Sequence, residues 1–252
     1  MNLSVLLIAR NEEDKILKSL SSLNFANEIV VVLDRSTDNT YNICSKFTKN
    51  IHRGNWVCEG KRRNFGIKKC KSNWILEIDA DEIVTKELSV EILEKIKNKN
   101  YDYFYIPILN YIYNFKVKYG WMACLAPDGK FCLYRKGQKT WKEGLVHPSY
   151  TIKGKKGETL KNSIQHFMSK NISELLARFN RNSSLYASEL KEKKSNMKKL
   201  LSVRKIFSRF IKCYFSRKGF KSGYLGLLIS ILSAIYPFVS AIKSKEDKTI
   251  SR

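Results

Sequence analysis

The run Glu77-Ile78-Asp79-Ala80-Asp81-Glu82 places carboxylates where an apolar strand, beginning at Trp74, gives out. On an extended backbone side chains repeat every second residue, so Asp79 and Asp81 are expected to project to one side. Two carboxylates so placed make a hard-oxygen site for Mg²⁺ or Mn²⁺, and such a cation could bridge the two phosphates of a nucleotide. The competing reading is an acidic turn that caps the next helix.

Three other polar segments accompany this one. Asp34 ends a Val-rich run and opens Asp34-Arg35-Ser36-Thr37-Asp38-Asn39-Thr40. There a carboxylate can accept hydrogen bonds from a ribose or base, while Ser36 or Asp38 could simply cap the following helix. Ala9-Arg10-Asn11-Glu12-Glu13 follows the first apolar run in the same way. Gly60-Lys61-Arg62-Arg63-Asn64 opens a helix, where amides and fixed cations suit a diphosphate, although a solvated basic face has the same composition.

These loops need elements to hold them. Leu3 to Ala9 has strand length, Glu12 to Leu23 sets Ile16, Leu17, Leu20 and Leu23 on one helical face, and Ile29 to Leu33 is apolar on both faces. Ser36 to Phe47 and Gly60 to Lys71 read as helices, Trp74 to Ile78 as a strand, and Lys86 to Lys97 as a helix with Leu88, Ile92, Leu93 and Ile96 inward. Alternation of this kind predicts an open, mostly parallel sheet with helices on both faces. Ligands in such sheets bind outside the carboxyl ends of the strands, where the polar loops would meet. Tyr101 to Phe167 reads as irregular β-rich structure of the same domain, followed by a helix from Ile172 to about Lys194.

The 252 residues can bury a sizeable core, and 43% hydrophobic composition excludes a disordered basic tail. A net charge of +24 directs the chain toward anionic partners. Six cysteines without a C-x-x-C pair argue against a disulfide framework or zinc knuckle and for a reducing compartment. The short run Val5 to Ala9, followed at once by Arg10 and Glu12, is not expected to be a signal peptide. From Lys191 to Lys221 there are 12 Lys or Arg and one acid. Gly223 to Ile242 then runs 20 residues without a charge, about the length of a bilayer span. Gly223, Gly226, Pro237 and three serines favour an interfacial or re-entrant helix, with a span and a docked core helix as alternatives.

Taken in order, Leu-Ile-Ala-Arg-Asn-Glu-Glu, Val-Val-Leu-Asp-Arg-Ser-Thr-Asp-Asn-Thr, Lys-Arg-Arg-Asn-Phe-Gly and Trp-Ile-Leu-Glu-Ile-Asp-Ala-Asp-Glu resemble the family 2 glycosyltransferases of GT-A fold. Within them the chain is similar to the lipopolysaccharide-core glucosyltransferase group. The resemblance implies an α/β, Rossmann-like GT-A domain with a C-terminal helical, membrane-associating tail. It implies a nucleotide-sugar-binding half over 1–98, an acceptor-binding half over 99–170, and a basic helical region over 171–252 that contains the apolar segment 223–242. It further implies transfer from a nucleotide-diphosphate sugar, usually with inversion, and a divalent cation, Mg²⁺ or Mn²⁺. Ala9, Asn11, Glu12, Asp34, Ser36, Arg63 and Asp79 are then the expected donor contacts. Asp81 is the principal metal ligand, and Asp79 faces the ribose or the metal.

Related sequences often carry a glutamate after a Val-His pair, where this chain has Val146-His147-Pro148. Glu143 is the candidate general base and His147 the alternative; His166 could complete the metal shell or pack, and packing is the favoured reading. The expected partners are the donor, a glycan or lipid-linked acceptor and an acidic membrane surface at the cytoplasmic face. Nucleic acid is not among them, because no nucleic-acid module is recognisable and the charge is heaviest beside the apolar tail. A nucleotidyltransferase would share the sheet and metal logic and release pyrophosphate instead.

Overall fold

The computed structural model describes residues 2–122, 124–145, 148–192 and 197–246. The chain forms two compact units, Met1–Leu109 with Gly129–Phe167, and Asn110–Asp128 with Met168–Arg252. The segments 1–98, 99–170 and 171–252 are expected divisions by role; the compact units divide the chain differently, with 110–128 grouped with the C-terminal helices.

In the first unit β1 (Leu3–Ala9), β2 (Glu28–Asp34), β3 (Ile51–Gly54) and β4 (Trp74–Asp79) are parallel, in the order β3-β2-β1-β4. Every residue of β1 is buried, as a strand covered on both faces requires. Short helices α1 (Ile16–Ser21) and α2 (Thr40–Cys44) and the longer α3 (Glu59–Lys69) connect these strands. After β4 come β5 (Glu82–Ile83), α4 (Lys86–Lys95) and β6 (Tyr103–Ile112). The chain continues through β7 (Phe115–Val117), β8 (Gly129–Arg135), β9 (Lys139–Trp141), β10 (Tyr150–Ile152) and β11 (Ile164–Ser169). The sheet goes on from β4 through β8, β6 and β11 to β5, with β8 antiparallel to β4 and β5 antiparallel to β11. One core, built on Leu3, Leu7, Leu20, Val31, Leu76, Leu88 and Ile92, lies beneath α1 and α4. Another joins Leu6, Ile8, Val30, Val32 and Ile67 beneath α3.

The second unit holds the last residues of β6, where Asn110–Ile112 pair with β7. It also holds α5 (Ile172–Glu192), α6 (Met197–Leu200), α7 (Val203–Ile211) and α8 (Gly223–Lys243). Its core gathers Ile112, Trp121, Leu125, Leu175, Ile229 and Tyr236.

Two predicted helices are shorter than their sequence patterns, for one reason. The first, Glu12 to Leu23, is helical only over α1, and Leu17 faces outward. The second, Ser36 to Phe47, is helical only over α2. Their leading residues bond to each other instead. The amides of Asn11, Glu12 and Glu13 donate to Ser36 Oγ, Thr40 Oγ1 and Asp38 Oδ2 (3.2, 2.9 and 3.1 Å), and the Thr37 amide donates to Asn11 Oδ1 (2.9 Å). Ser36 is engaged by the neighbouring loop, while Asp38 serves both, its Oδ1 accepting the Thr40 amide at the start of α2 (3.1 Å) and its Oδ2 the Glu13 amide.

Candidate active site

The loops after β1 and β2 are thus fastened together at the carboxyl edge of the sheet. Asn11 and Arg35, one in each loop, have left-handed backbone with φ near 53°. Asn tolerates that conformation; for Arg it is strained, and such strain gathers at functional loops. Ala9 is buried at the end of β1, paired with Leu33.

Asp34 is buried and fully engaged. Its Oδ1 accepts from Arg35 Nε (3.1 Å) and the Trp56 amide (3.3 Å), and its Oδ2 from Arg35 Nη2 and Arg62 Nη1 (both 3.0 Å). Burial works to raise its carboxyl, but the Arg35 hydrogen bond, the Trp56 amide and the charge of Arg62 outweigh it and hold Asp34 below the usual carboxylate range.

Helix α3 brings two arginines to this edge. Arg62 reaches Asp34, while Arg63 donates to Glu59 (2.7 Å) and Asp79 (3.0 Å) and stacks 4.9 Å from the centre of the Trp141 ring. The approach of the segment after β9 depends on Gly60, because a Cβ there would lie 2.0 Å from the Lys142 carbonyl oxygen. Asn64 and Trp141 exchange two hydrogen bonds across the same contact (2.8 and 3.0 Å).

Asp79 is the last residue of β4, and Asp81 lies in the turn after it, so strand alternation does not extend across the pair. Each carboxylate has its own surroundings. Asp79 sits between two cations, Arg63 at 3.0 Å and Lys130 Nζ at 3.3 Å. Burial opposes its ionisation, and those two cations overcome burial and the repulsion from Asp81, setting its pKa far below the ordinary value. Lys130 also donates to both oxygens of buried Glu82 (2.7 and 2.5 Å), and Glu82 Oε2 accepts the Asp79 amide (2.9 Å). Burial and the nearby Asp79 charge push the Glu82 carboxyl upward despite Lys130. Asp81 meets His166, with Nε2 3.3 Å from Oδ2, both side chains about a tenth exposed. Pairing of β5 with β11 sets His166 opposite Glu82, and the Phe167 amide donates to the Asp81 carbonyl (2.8 Å). The ring, for which packing is the favoured reading from sequence and the metal shell the other, is therefore buried and also faces the acidic turn.

Below this layer Glu77 is almost fully buried. Lys139 Nζ donates to its Oε1 (2.8 Å) and Trp141 Nε1 to its Oε2 (2.9 Å), with Arg63 at 3.5 Å. None of Lys130, Lys139, Glu82 or Trp141 was a candidate on sequence grounds.

Glu143 stands apart from these buried groups. It is exposed beside the start of α3, with Oε1 3.0 Å from Lys61 Nζ. The Glu59 amide donates to the Gly144 carbonyl beside it (3.1 Å). His147 lies outside the described residues.

A carboxylate and an imidazole, Asp81 and His166, form a partial donor set for a divalent cation. Among the described residues no three His, Cys, Asp or Glu side chains are grouped to hold a metal. Two protein ligands suffice where substrate phosphates and water complete the shell, and the nitrogen donor favours Mn²⁺ over Mg²⁺, which demands hard oxygen ligands.

Comparison with known proteins bears on the family and the fold. A protein of Rickettsia bellii described as an uncharacterized glycosyltransferase is 26% identical over 261 residues, covering 97% of this chain and 86% of its own. The lipopolysaccharide core biosynthesis glycosyltransferase LpsC of Rhizobium meliloti is 26% identical, covering 96% of this chain and 91% of its own. In fold, the chain is similar to S. aureus TarS 1-349 solved in complex with UDP, at a TM-score of 0.51 and 15% identity, covering 97% and 90% of the two chains. The GT-A-like α/β fold, with an apolar C-terminal helix, accords with that likeness. The model for glycosyl transferase family 2 matches residues 4–156, more than half of the chain. That span contains the fastened loops, the arginine-bearing helix and the acidic turn, and the chain belongs to glycosyl transferase family 2.

Proposed function

We propose that this glycosyltransferase moves a sugar from a nucleotide-diphosphate donor to a hydroxyl of a cell-envelope glycan or lipid-linked acceptor, with inversion and with a divalent cation. The observation that carries the reading is the Asp81–His166 pair at the carboxyl end of β4, 3.3 Å apart, one turn from an Asp79 clamped by Arg63 and Lys130. LpsC, named for lipopolysaccharide core biosynthesis, supports the acceptor class.

In this reading Ala9, Asn11, Glu12, Asp34 and Ser36 form the nucleotide edge, where the fastened loops offer a rigid rim. Asp81 and His166 hold the cation, and Arg63 and Asp79 border the diphosphate or ribose. When bound, the cation supplies positive charge to the diphosphate as it departs. The acceptor oxygen bonds to the anomeric carbon, the bond from that carbon to the diphosphate oxygen breaks with its electron pair leaving on the diphosphate, and the hydroxyl proton passes to Glu143, with His147 as the alternative base.

The test is nucleoside diphosphate release from a panel of nucleotide sugars in the presence of a lipopolysaccharide-core or lipid-linked acceptor. UDP sugars come first, since TarS 1-349 was also solved with UDP-GlcNAc. Release that needs both acceptor and Mn²⁺ or Mg²⁺ supports the reading; pyrophosphate as the product overturns it.

Two substitutions separate donor binding from proton transfer. Asp34→Asn should raise the donor KM by about tenfold with a smaller change in kcat, because contacts present before and during reaction contribute uniform binding. An unchanged KM would confine Asp34 to holding Arg35, Arg62 and the Trp56 amide. Glu143→Gln should lower kcat by about 10²-fold with donor binding intact, the usual size of a lost general base. Wild-type turnover in Glu143→Gln, with His147→Ala inactive, would give the proton to His147.

A further inference from the structure

Helix α8 is long and apolar enough to cross a bilayer, yet 56% of its most apolar window is buried within the protein. The buried side carries Ser230 and Ser240, whose hydroxyls donate to carbonyls of their own helix at Gly226 and Tyr236 (2.7 and 2.8 Å). Ile229, Leu232 and Tyr236 fill the core of the second unit from this side, and Tyr236 stacks on Tyr186 of α5. The helix acts as a structural member of the unit.

The surface of α7 is different. Val203, Phe207, Ile211 and Phe215 are 59%, 65%, 53% and 57% exposed. A spacing of four places them on one stripe along α7 and the π-helical turn Lys212–Ser216 that continues it. Rings extend the stripe: Phe210 stacks on Tyr214 at 5.4 Å, Tyr214 meets Phe215 at 5.1 Å and Phe220 at 6.3 Å, and Tyr224 is 80% exposed. Arg204, Lys205, Lys212 and Lys218 stand among and beside them, Arg217 is paired with Asp128 (3.2 Å), and the sequence has no Asp or Glu between Glu192 and Glu246.

An aqueous surface has little use for four apolar side chains in line. A helix whose exposed aromatic and aliphatic side chains are flanked by cations is suited to the boundary between headgroups and acyl chains. An excess of positive charge selects a lipid leaflet of negative charge. We propose that α7 and its π-helical extension are the membrane-docking face of this protein, lying in the plane of an anionic bilayer surface while α8 serves as the scaffold behind them. This rests on the reading that the acceptor is presented at a membrane, and it names the face that meets it.

Deleting residues 219–252 would remove part of the second unit's core, so point substitutions are the cleaner test. Full-length protein is sedimented with phosphatidylcholine vesicles, with and without phosphatidylglycerol, at low and high salt. Wild type should bind the anionic vesicles and be released by salt. Phe207→Ser/Phe215→Ser should weaken partitioning by about tenfold or more, from the apolar surface lost. Val90→Ser, a control at an exposed apolar residue of α4, should not. Phe207→Trp adds an optical readout, a blue-shifted emission quenched by lipids brominated near the headgroup. Wild-type binding by the double variant, or an unshifted emission from vesicle-bound Phe207→Trp, overturns the assignment of this face and leaves the membrane reading standing. A wild-type protein that ignores anionic vesicles yet transfers sugar to a soluble acceptor overturns both.

Discussion

Asp81→Asn should cut sugar transfer by about 10²–10³-fold while the protein stays folded, the size of effect seen when one preorganised electrostatic group is lost from a transition state. The amide keeps the shape of the side chain, and the Asp81 carbonyl that accepts the Phe167 amide is untouched. What disappears is the negative charge beside His166. Asp79→Asn should behave differently. Its carboxylate lies between Arg63 and Lys130, so neutralising it leaves two largely buried cations with less compensation and should lower stability together with activity. The measurement is paired: steady-state transfer and urea unfolding for each variant, with Mn²⁺ affinity by calorimetry. Most of the wild-type rate surviving in Asp81→Asn, or in the wild-type enzyme after chelation, would remove the metal assignment.

The contrast between those two aspartates shows how much of the site could be read from the sequence. Their position at the end of a buried strand was legible, because Trp74 to Ile78 has strand length and is apolar apart from Glu77, and Asp79 is where that run stops. Their separate roles were not. The every-second-residue rule holds only while the strand lasts, and β4 ends at Asp79. The partners that distinguish them, Lys130 and His166, arrive on β8 and β11, and no local spacing reports which distant strand will pair. Lys139 left a fainter mark, a charged residue next to a Thr-Trp pair in a stretch of strand character, where burial demands a counter-ion. The helices that came out short failed for a related reason. Ser36 and Asp38 had good local uses as caps, and the neighbouring loop supplied competing partners.

Lys139→Met should destabilise the protein by about 3–5 kcal/mol at neutral pH, the range for breaking a buried ion pair from one side. Lys139 and Glu77 are both about 2% exposed and 2.8 Å apart. Without the ammonium, Glu77 keeps the Trp141 indole N–H, with Arg63 at 3.5 Å and the Tyr134 hydroxyl nearby. Arg63 is also the group that clamps Asp79, so drawing it toward Glu77 loosens the site above and should lower transfer as well. The pH dependence carries a definite sign. In the wild type, burial works against the Glu77 charge, but Lys139 and Arg63 win and set its pKa below the ordinary value. That contribution is fully present above the unfolded pKa, near about 4.3, and fades as pH falls through the lower folded value. In Lys139→Met burial dominates, and the folded pKa should rise above the unfolded one. The penalty is then largest at neutral pH and shrinks as acid protonates Glu77. Urea unfolding of the two proteins should therefore give curves of stability against pH that converge toward pH about 4. Glu77→Gln/Lys139→Met, which removes both charges, should recover much of the loss, since an uncompensated charge costs more than an absent pair. A gap of equal size at all pH values, or a double variant as unstable as the sum of its parts, would mean that Lys139 acts through packing on Trp141 and Tyr150, whose ring centres lie 4.1 and 4.4 Å from its Nζ, and not through charge.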